Sequence, residues 1–252
     1  MDIGVSIGPY LDRIESLPSS FAFVEYGLGE GEVTLDTFEP SEVSDRLDEA
    51  GFRRVVHLPY KQPLSTPVDR IDTATFQYLD DVLAVAAQSG VETAVAHPSA
   101  RGGGHSFEQL TSRISALSEC ADSHDITLCL ETVGYAGGLA LDRVGRVVDQ
   151  ANANVCLDIG YAYLEDGVGG IREFLESYGD IVAHLHVHGA RHRGDTHIPV
   201  GSGDVAYEEI GPIVSETVSE PSATVEVFTD DTDHLKNSAE RFRATLTGDR
   251  DG

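Results

Sequence analysis

The chain has 252 residues, 40% of them hydrophobic, which suits one large domain with a full core. It carries 43 acidic against 17 basic side chains, a net charge of −26, so in ordinary salt it would repel a phosphate backbone. No apolar run is long enough to span a membrane, and no basic start followed by an apolar stretch marks a secretion signal.

Only two basic residues are lysines, Lys61 and Lys236. Acidic residues recur in every expected helix rather than in one tail. Such a surface resembles that of halophilic proteins, in which salt screens the repulsion. In molar salt the argument against nucleic acid weakens. The three cysteines, Cys120, Cys129 and Cys156, are odd in number and lack metal-type spacing. They read as reduced thiols of a cytoplasmic protein.

Short apolar runs predict strands at 3–7, 21–25, 53–57, 92–97, 126–131, 154–158, 181–187 and 223–228. Amphipathic stretches predict helices near 41–50, 67–89, 106–124, 140–151, 168–178, 205–218 and 231–247. The first connection, around 9–17, is short. Eight β-α repeats predict an α/β fold, a parallel (β/α)8 TIM barrel filling residues 1–252 as a single domain. The last residues, 248–252, are expected to fray. An open doubly wound sheet is the alternative, but no Gly-rich dinucleotide fingerprint follows the first strand.

Side chains alternate across a strand. Val55 therefore shares a face with His57, Val95 with His97, Cys129 with Glu131, Cys156 with Asp158, Thr224 with Glu226, and Phe23 with Glu25. Helices cover the outside of a barrel, so these polar strand-enders point inward at the mouth, where barrel enzymes keep their sites. His57, His97, Glu131, Asp158, His186 and Glu226 are thereby placed at one rim. Taken singly, each is an ordinary hydrogen-bonded rim residue. Together they are a ligand set for Zn2+, Mn2+ or a related divalent ion, which would offset the cost of burying several carboxylates.

The stretch "HLHVHGARHRGDTHIPVGSG", His184 to Gly203, holds five of the ten histidines. His186 reads as the inward ligand and His184 as a core or supporting residue one pleat deeper. His188 and His192 read equally well as exposed loop residues. Asp195 and His197 stand in the loop above the mouth, and Asp204 is the expected N-cap of the next helix.

"HLPY" (57–60), "AHPS" (96–99), "CLETVG" (129–134), "CLDIGYA" (156–162), "HLHVHGARHRGDTHIPVGSGDV" (184–205) and "VEVF" (225–228) occur in that order. The set resembles the xylose-isomerase-like barrel superfamily, which joins sugar and sugar-phosphate isomerases and epimerases with abasic-site nucleases of the endonuclease IV type. The epimerase branch implies one divalent metal, often Mn2+, on Glu131, Asp158, His186 and Glu226. Zn2+, Mg2+ and Co2+ fit the same donors. In that branch Glu131 and Glu226 exchange a substrate proton.

The nuclease branch implies a cluster of three metals. His57, His97 and Glu131 would hold the first ion, and Glu131, Asp158, His186 and Glu226 the second. Asp195 and His197 would hold the third, with Tyr161 standing where a third-site histidine is usual. Ser99 and Gly189 also depart from the nuclease pattern.

The resulting expectation is a metal-dependent isomerase or epimerase of a sugar, sugar phosphate or related polyol. Arg101, Tyr161, Arg191 and Arg193 are candidate substrate contacts. A multi-metal phosphodiesterase and a non-catalytic metal-binding barrel are the alternatives. The first would need basic and apolar loops to open a duplex, and no such run is present. Oligomeric state stays open.

Overall fold

The computed structural model describes residues 1–101 and 106–247. Eight parallel strands close a barrel in chain order: β1 (Asp2–Gly8), β2 (Phe23–Gly27), β3 (Arg53–His57), β4 (Thr93–Ala96), β5 (Thr127–Glu131), β6 (Asn154–Asp158), β7 (Val182–Val187) and β8 (Ser222–Val225). Closure is made by β1 on β8, with Asp2 opposite Ser222 and Val5 opposite Val225. Helices follow seven strands: α1 (Pro40–Ala50), α2 (Asp69–Gln88), α3 (Phe107–Ser123), α4 (Leu141–Gln150), α5 (Ile159–Tyr178), α6 (Tyr207–Thr217) and α7 (Thr232–Thr247). After β1 there is only a short 3-10 turn, Leu11–Ser16, in keeping with the short connection expected there. The expected tail at 248–252 and the glycines of "ARGGG" (100–104), the run that carries Arg101, lie outside the described residues.

Helix ends follow local chemistry. Pro40 opens α1 where its missing N–H costs nothing, and Gly51 closes it in a left-handed conformation. Ser106 caps α3 by accepting from the Gln109 N–H at 3.0 Å. The largest departure from the sequence expectation is α5, which begins at Ile159 rather than 168. Asp158 ends β6 and at once caps the helix, accepting from the Tyr161 N–H at 2.7 Å. Gly167, at φ 65° and ψ −166°, kinks the helix where the later start was expected. Asp204 does not cap α6; its carboxylate accepts from the His192 N–H at 3.0 Å, within the preceding loop.

Two strands are also offset. The second runs two residues later than expected, its register set by Phe23 opposite Arg53 and Gly27 opposite His57. The eighth stops at Val225. Past it, the Glu226 N–H still bonds Val187 O at 3.1 Å, while the Phe228 N–H bonds His197 O at 2.9 Å in the β7 loop.

The alternating pattern sorts the barrel into two apolar layers. Outward residues such as Val24, Val56, Leu130 and Leu185 join the main core beneath the helices. Phe23, Val55, Val95, Cys129 and Cys156 form a separate plug inside the barrel. Phe23 dominates this plug. Its ring fills the space beside Gly4, where a Cβ would stand 2.3 Å from it, so only glycine fits there. The plug closes the lower barrel and leaves the upper end for polar side chains.

Phe23→Ala is expected to lower unfolding free energy by about 3–5 kcal/mol in denaturant titration, because the closed barrel cannot collapse into the void. A loss below about 1 kcal/mol would mean that the plug does not hold the barrel. The acidic excess at the surface leads to a second expectation: melting temperature should rise from low to molar KCl as repulsion is screened. A flat or falling melting curve would show that this repulsion does not limit the fold.

Candidate metal centre

The strand-end residues do meet at one mouth. His57 Nε2 and His97 Nε2 lie 3.1 and 2.9 Å from the same oxygen of Glu131, Oε2. Its other oxygen is 3.2 Å from His186 Nδ1. Glu226 Oε2 is 3.2 Å from His186 Nδ1 and 3.4 Å from His197 Nε2. Glu131, Asp158, His186 and Glu226 each offer a donor atom, all within 4.8 Å of one another, and so do His57, His97 and Glu131.

A third donor group departs from the expected one. It consists of Asp158, His188 and His197. His188, which read equally well as an exposed loop residue, is fully buried, with Nε2 3.1 Å from both oxygens of Asp158. Asp195 does not join the group. Its carboxylate is exposed and taken by two guanidiniums, Arg191 at 2.9 Å and Arg193 at 3.0 Å. Those arginines are therefore spent on Asp195, and Arg191 also donates to Ser202 O. Neither they nor exposed Arg101 line the mouth cavity, whereas Tyr161 does. Burial, and then the charges of Asp158, Glu226 and Glu131, hold the Tyr161 phenol well above its ordinary pKa.

The β7 loop that brings His197 over the mouth folds back on itself. Gly189 and Ile198 pair as an antiparallel bridge, and a Cβ on Gly189 would stand 2.5 Å from Pro199 O, so a larger residue does not fit there. His197 itself sits at φ 54°, a conformation costly for a side-chain-bearing residue. Its ring stacks on His188 and on Phe228, with centroids 4.3 and 4.1 Å away.

Beneath the rim lies a support that the strand parity pointed to without giving it a role. Glu25 is buried, with Oε2 3.2 Å from His186 Nε2 and 2.6 Å from Thr224 Oγ1, which donates to it. Donation from His186 Nε2 to Glu25 leaves Nδ1 facing the other carboxylates, the arrangement by which a carboxylate orients a ligating imidazole. His184, one pleat down, is fully buried between Ser222 Oγ at 2.6 Å and Thr224 Oγ1 at 2.9 Å. Glu32 was missed altogether, since nothing in "GLGEGE" marks it. It lines the cavity, and burial pushes its carboxyl pKa up.

The residues fit a divalent cation. Glu25 Oε1 and Glu226 Oε2 are buried without an aligned hydrogen bond. Hard oxygen and borderline nitrogen donors converge, and four carboxylates crowd the barrel's upper end. Protons on imidazole can balance part of this charge. Burial opposes charge on His57, but the Glu131 carboxylate outweighs it and lifts the pKa to about 9. Burial likewise opposes charge on His188, and Asp158 lifts it to about 9. Of the donors, His57, His97, Glu131, His197 and Glu226 line a cavity of about 610 Å3. Tyr10, Tyr60, Tyr161 and Phe228 form part of its wall, and Arg13 is the only Lys or Arg among the described residues that line it.

A closed parallel barrel with an acid–imidazole rim defines a class, and comparison gives the family. The family model described as xylose isomerase-like TIM barrel matches residues 19–246. The chain belongs to that family. An uncharacterized protein of Methanocaldococcus jannaschii is 25% identical over 170 residues, spanning 62% of this chain and 58% of that protein. A probable endonuclease 4 of Haloquadratum walsbyi is 24% identical over 185 residues, 66% of each chain. The chain thus matches 58% and 66% of the length of these two relatives, less than two thirds of either. The structure of a D-psicose 3-epimerase with D-tagatose, from Clostridium cellulolyticum, superposes with a TM-score of 0.79 at 17% identity, covering 98% of this chain and 99% of the other. That likeness is one of fold.

The imidazoles make a pH prediction. His57 and His188 are raised from 6.5 to about 9, so their charge pairs stabilise the metal-free fold fully below pH 6.5 and fade as pH rises through 9. Its melting temperature should fall across that window. Loading Mn2+ or Zn2+ near neutral pH should release protons, seen as a calorimetric heat that scales with the buffer's ionisation enthalpy. A heat independent of buffer would contradict protonated histidines at the rim.

Proposed function

We propose that this chain is a divalent-metal-dependent isomerase or epimerase acting on a sugar, sugar phosphate or related polyol. The observation that carries the reading is the donor group Glu131, Asp158, His186 and Glu226, of which Glu131 and Glu226 line a cavity of small-molecule size while Asp158 and His186 are fully buried beside them. These four would hold Mn2+ or Zn2+, with His57 and His97 offering further donors beside Glu131. When bound, the cation supplies positive charge that polarises a substrate carbonyl and favours loss of the neighbouring C–H proton.

The chain's own residues do the rest. Glu131 enters from β5 and Glu226 from the end of β8, three strands apart round the barrel. A substrate carbon between them meets a carboxylate on each side. One takes the C–H proton, and the other, protonated, returns one to the opposite face, which inverts the centre. Glu25 keeps His186 turned toward the donors, and His188 does the same for Asp158. Tyr10, Tyr60, Tyr161 and Phe228 supply apolar surface that can cover the CH face of a sugar and displace water.

A second reading, phosphodiester cleavage on a multi-metal centre, draws on the three linked donor groups and the endonuclease 4 relative. The single Lys or Arg among the described residues of the cavity wall and the net charge of −26 weigh against a nucleic-acid substrate.

The test is solvent deuterium exchange into a panel of ketoses and ketose phosphates, run beside cleavage of abasic DNA, on metal-loaded protein. Exchange without cleavage is expected. Glu131→Gln and Glu226→Gln should each lower exchange about 10²–10⁴-fold at unchanged fold. Cleavage without exchange would transfer the assignment to the second reading. Exchange at the parental rate in either variant would remove the two-carboxylate mechanism.

A further inference from the structure

Outside the barrel, away from the mouth, three metal-ligating side chains meet between α2 and α3. Cys120 and His124 are four residues apart at the C-terminal end of α3, so they share one helix face. Asp80, in the middle of α2, reaches both with a single oxygen. Cys120 Sγ donates to Asp80 Oδ1 at 3.1 Å, and His124 Nε2 lies 3.0 Å from the same atom. One donor atom from each residue lies within 4.8 Å of the others.

We propose that Asp80, Cys120 and His124 form a peripheral cation site that takes Zn2+ or another thiolate-binding divalent ion. Bond lengths of about 2.0–2.3 Å in a tetrahedral zinc site put neighbouring donors roughly 3.3–3.8 Å apart, a few tenths of an ångström beyond the two separations from Asp80 Oδ1. Sulfur, nitrogen and oxygen supply three corners. The fourth is open to water, because Asp80 and His124 keep 49% and 25% of their side-chain surface exposed. The carbonyl end of α3 adds negative potential at His124, its C-cap, and the free Cys120 is in no disulfide. Burial and Asp80 hold the Cys120 thiol up at about 12, so the ion must displace its proton. The sequence reading found no metal spacing at Cys120 because the third ligand comes from another helix, 40 residues earlier.

The site is independent of the mouth chemistry, and its test reads sulfur rather than activity. Chelator-stripped protein is titrated with Cd2+ while the ultraviolet thiolate-to-metal absorption is followed. In the native chain this absorption should plateau at the amplitude of one thiolate ligand per chain, whatever Cd2+ the mouth also takes, and it should vanish in Cys120→Ser. His124→Gln and Asp80→Asn, which keep the thiol, should weaken binding at least about tenfold. Circular dichroism of each metal-free variant separates lost binding from lost fold. Two results would overturn the site. One is no thiolate absorption in the native chain. The other is absorption persisting in Cys120→Ser, which would place the ion on Cys129 or Cys156 inside the barrel.

Discussion

Glu131 carries the constraint around which the mouth is built. A carboxylate this deeply buried is costly unless it is paired, and Glu131 is paired three times over, with His57 and His97 on one oxygen and His186 on the other. Each partner comes from a different strand: His57 ends β3, His97 follows β4 and His186 belongs to β7. Burial raises the cost of its charge, and the facing imidazoles of His186 and His97 outweigh it, holding Glu131 well below the usual carboxylate range. The same balance can be met by protons on imidazole or by a divalent cation.

That balance depends on a scaffold beneath it. Phe23 packs beside His184, with ring centroids 5.8 Å apart. His184 bonds Thr224, Thr224 donates to Glu25, and Glu25 holds His186. An apolar plug is thus linked to the rim through a short run of buried polar contacts. Such a run fixes ring orientation more tightly than a flexible loop could, and orientation is what a metal ligand or a proton-transfer group requires.

The surface and the mouth use acidity differently. Outside, carboxylates are spread over helices and solvated. At the mouth, a few are buried and held close by histidines, of which His57, His186 and His188 become more basic in return. Arg191 and Arg193 show how the distinction arises: they lie near the site in sequence, yet pair with exposed Asp195 and leave the cavity wall. The wall is consequently aromatic, acidic and imidazole-lined, with Arg13 as the one Lys or Arg among its described residues.

The chain order of strands and helices, the two faces of each strand and the convergence of His57, His97, Glu131, Asp158, His186 and Glu226 were legible in the sequence alone. A period of two assigns facing, and eight β-α repeats leave few ways to close a sheet. Only the tertiary structure decided what His188, Glu25, Glu32 and Asp195 do, and where α5 begins. His188 shares its face with His184 and His186, but its burial depends on the loop folding back through the Gly189–Ile198 bridge. Asp158 could be read as a strand-end acid, and its second task as a helix cap appears only when α5 starts against it. Alternation is a local property of the backbone, whereas partner choice between distant side chains is set by loop geometry and by competition among charges, which local pattern does not encode.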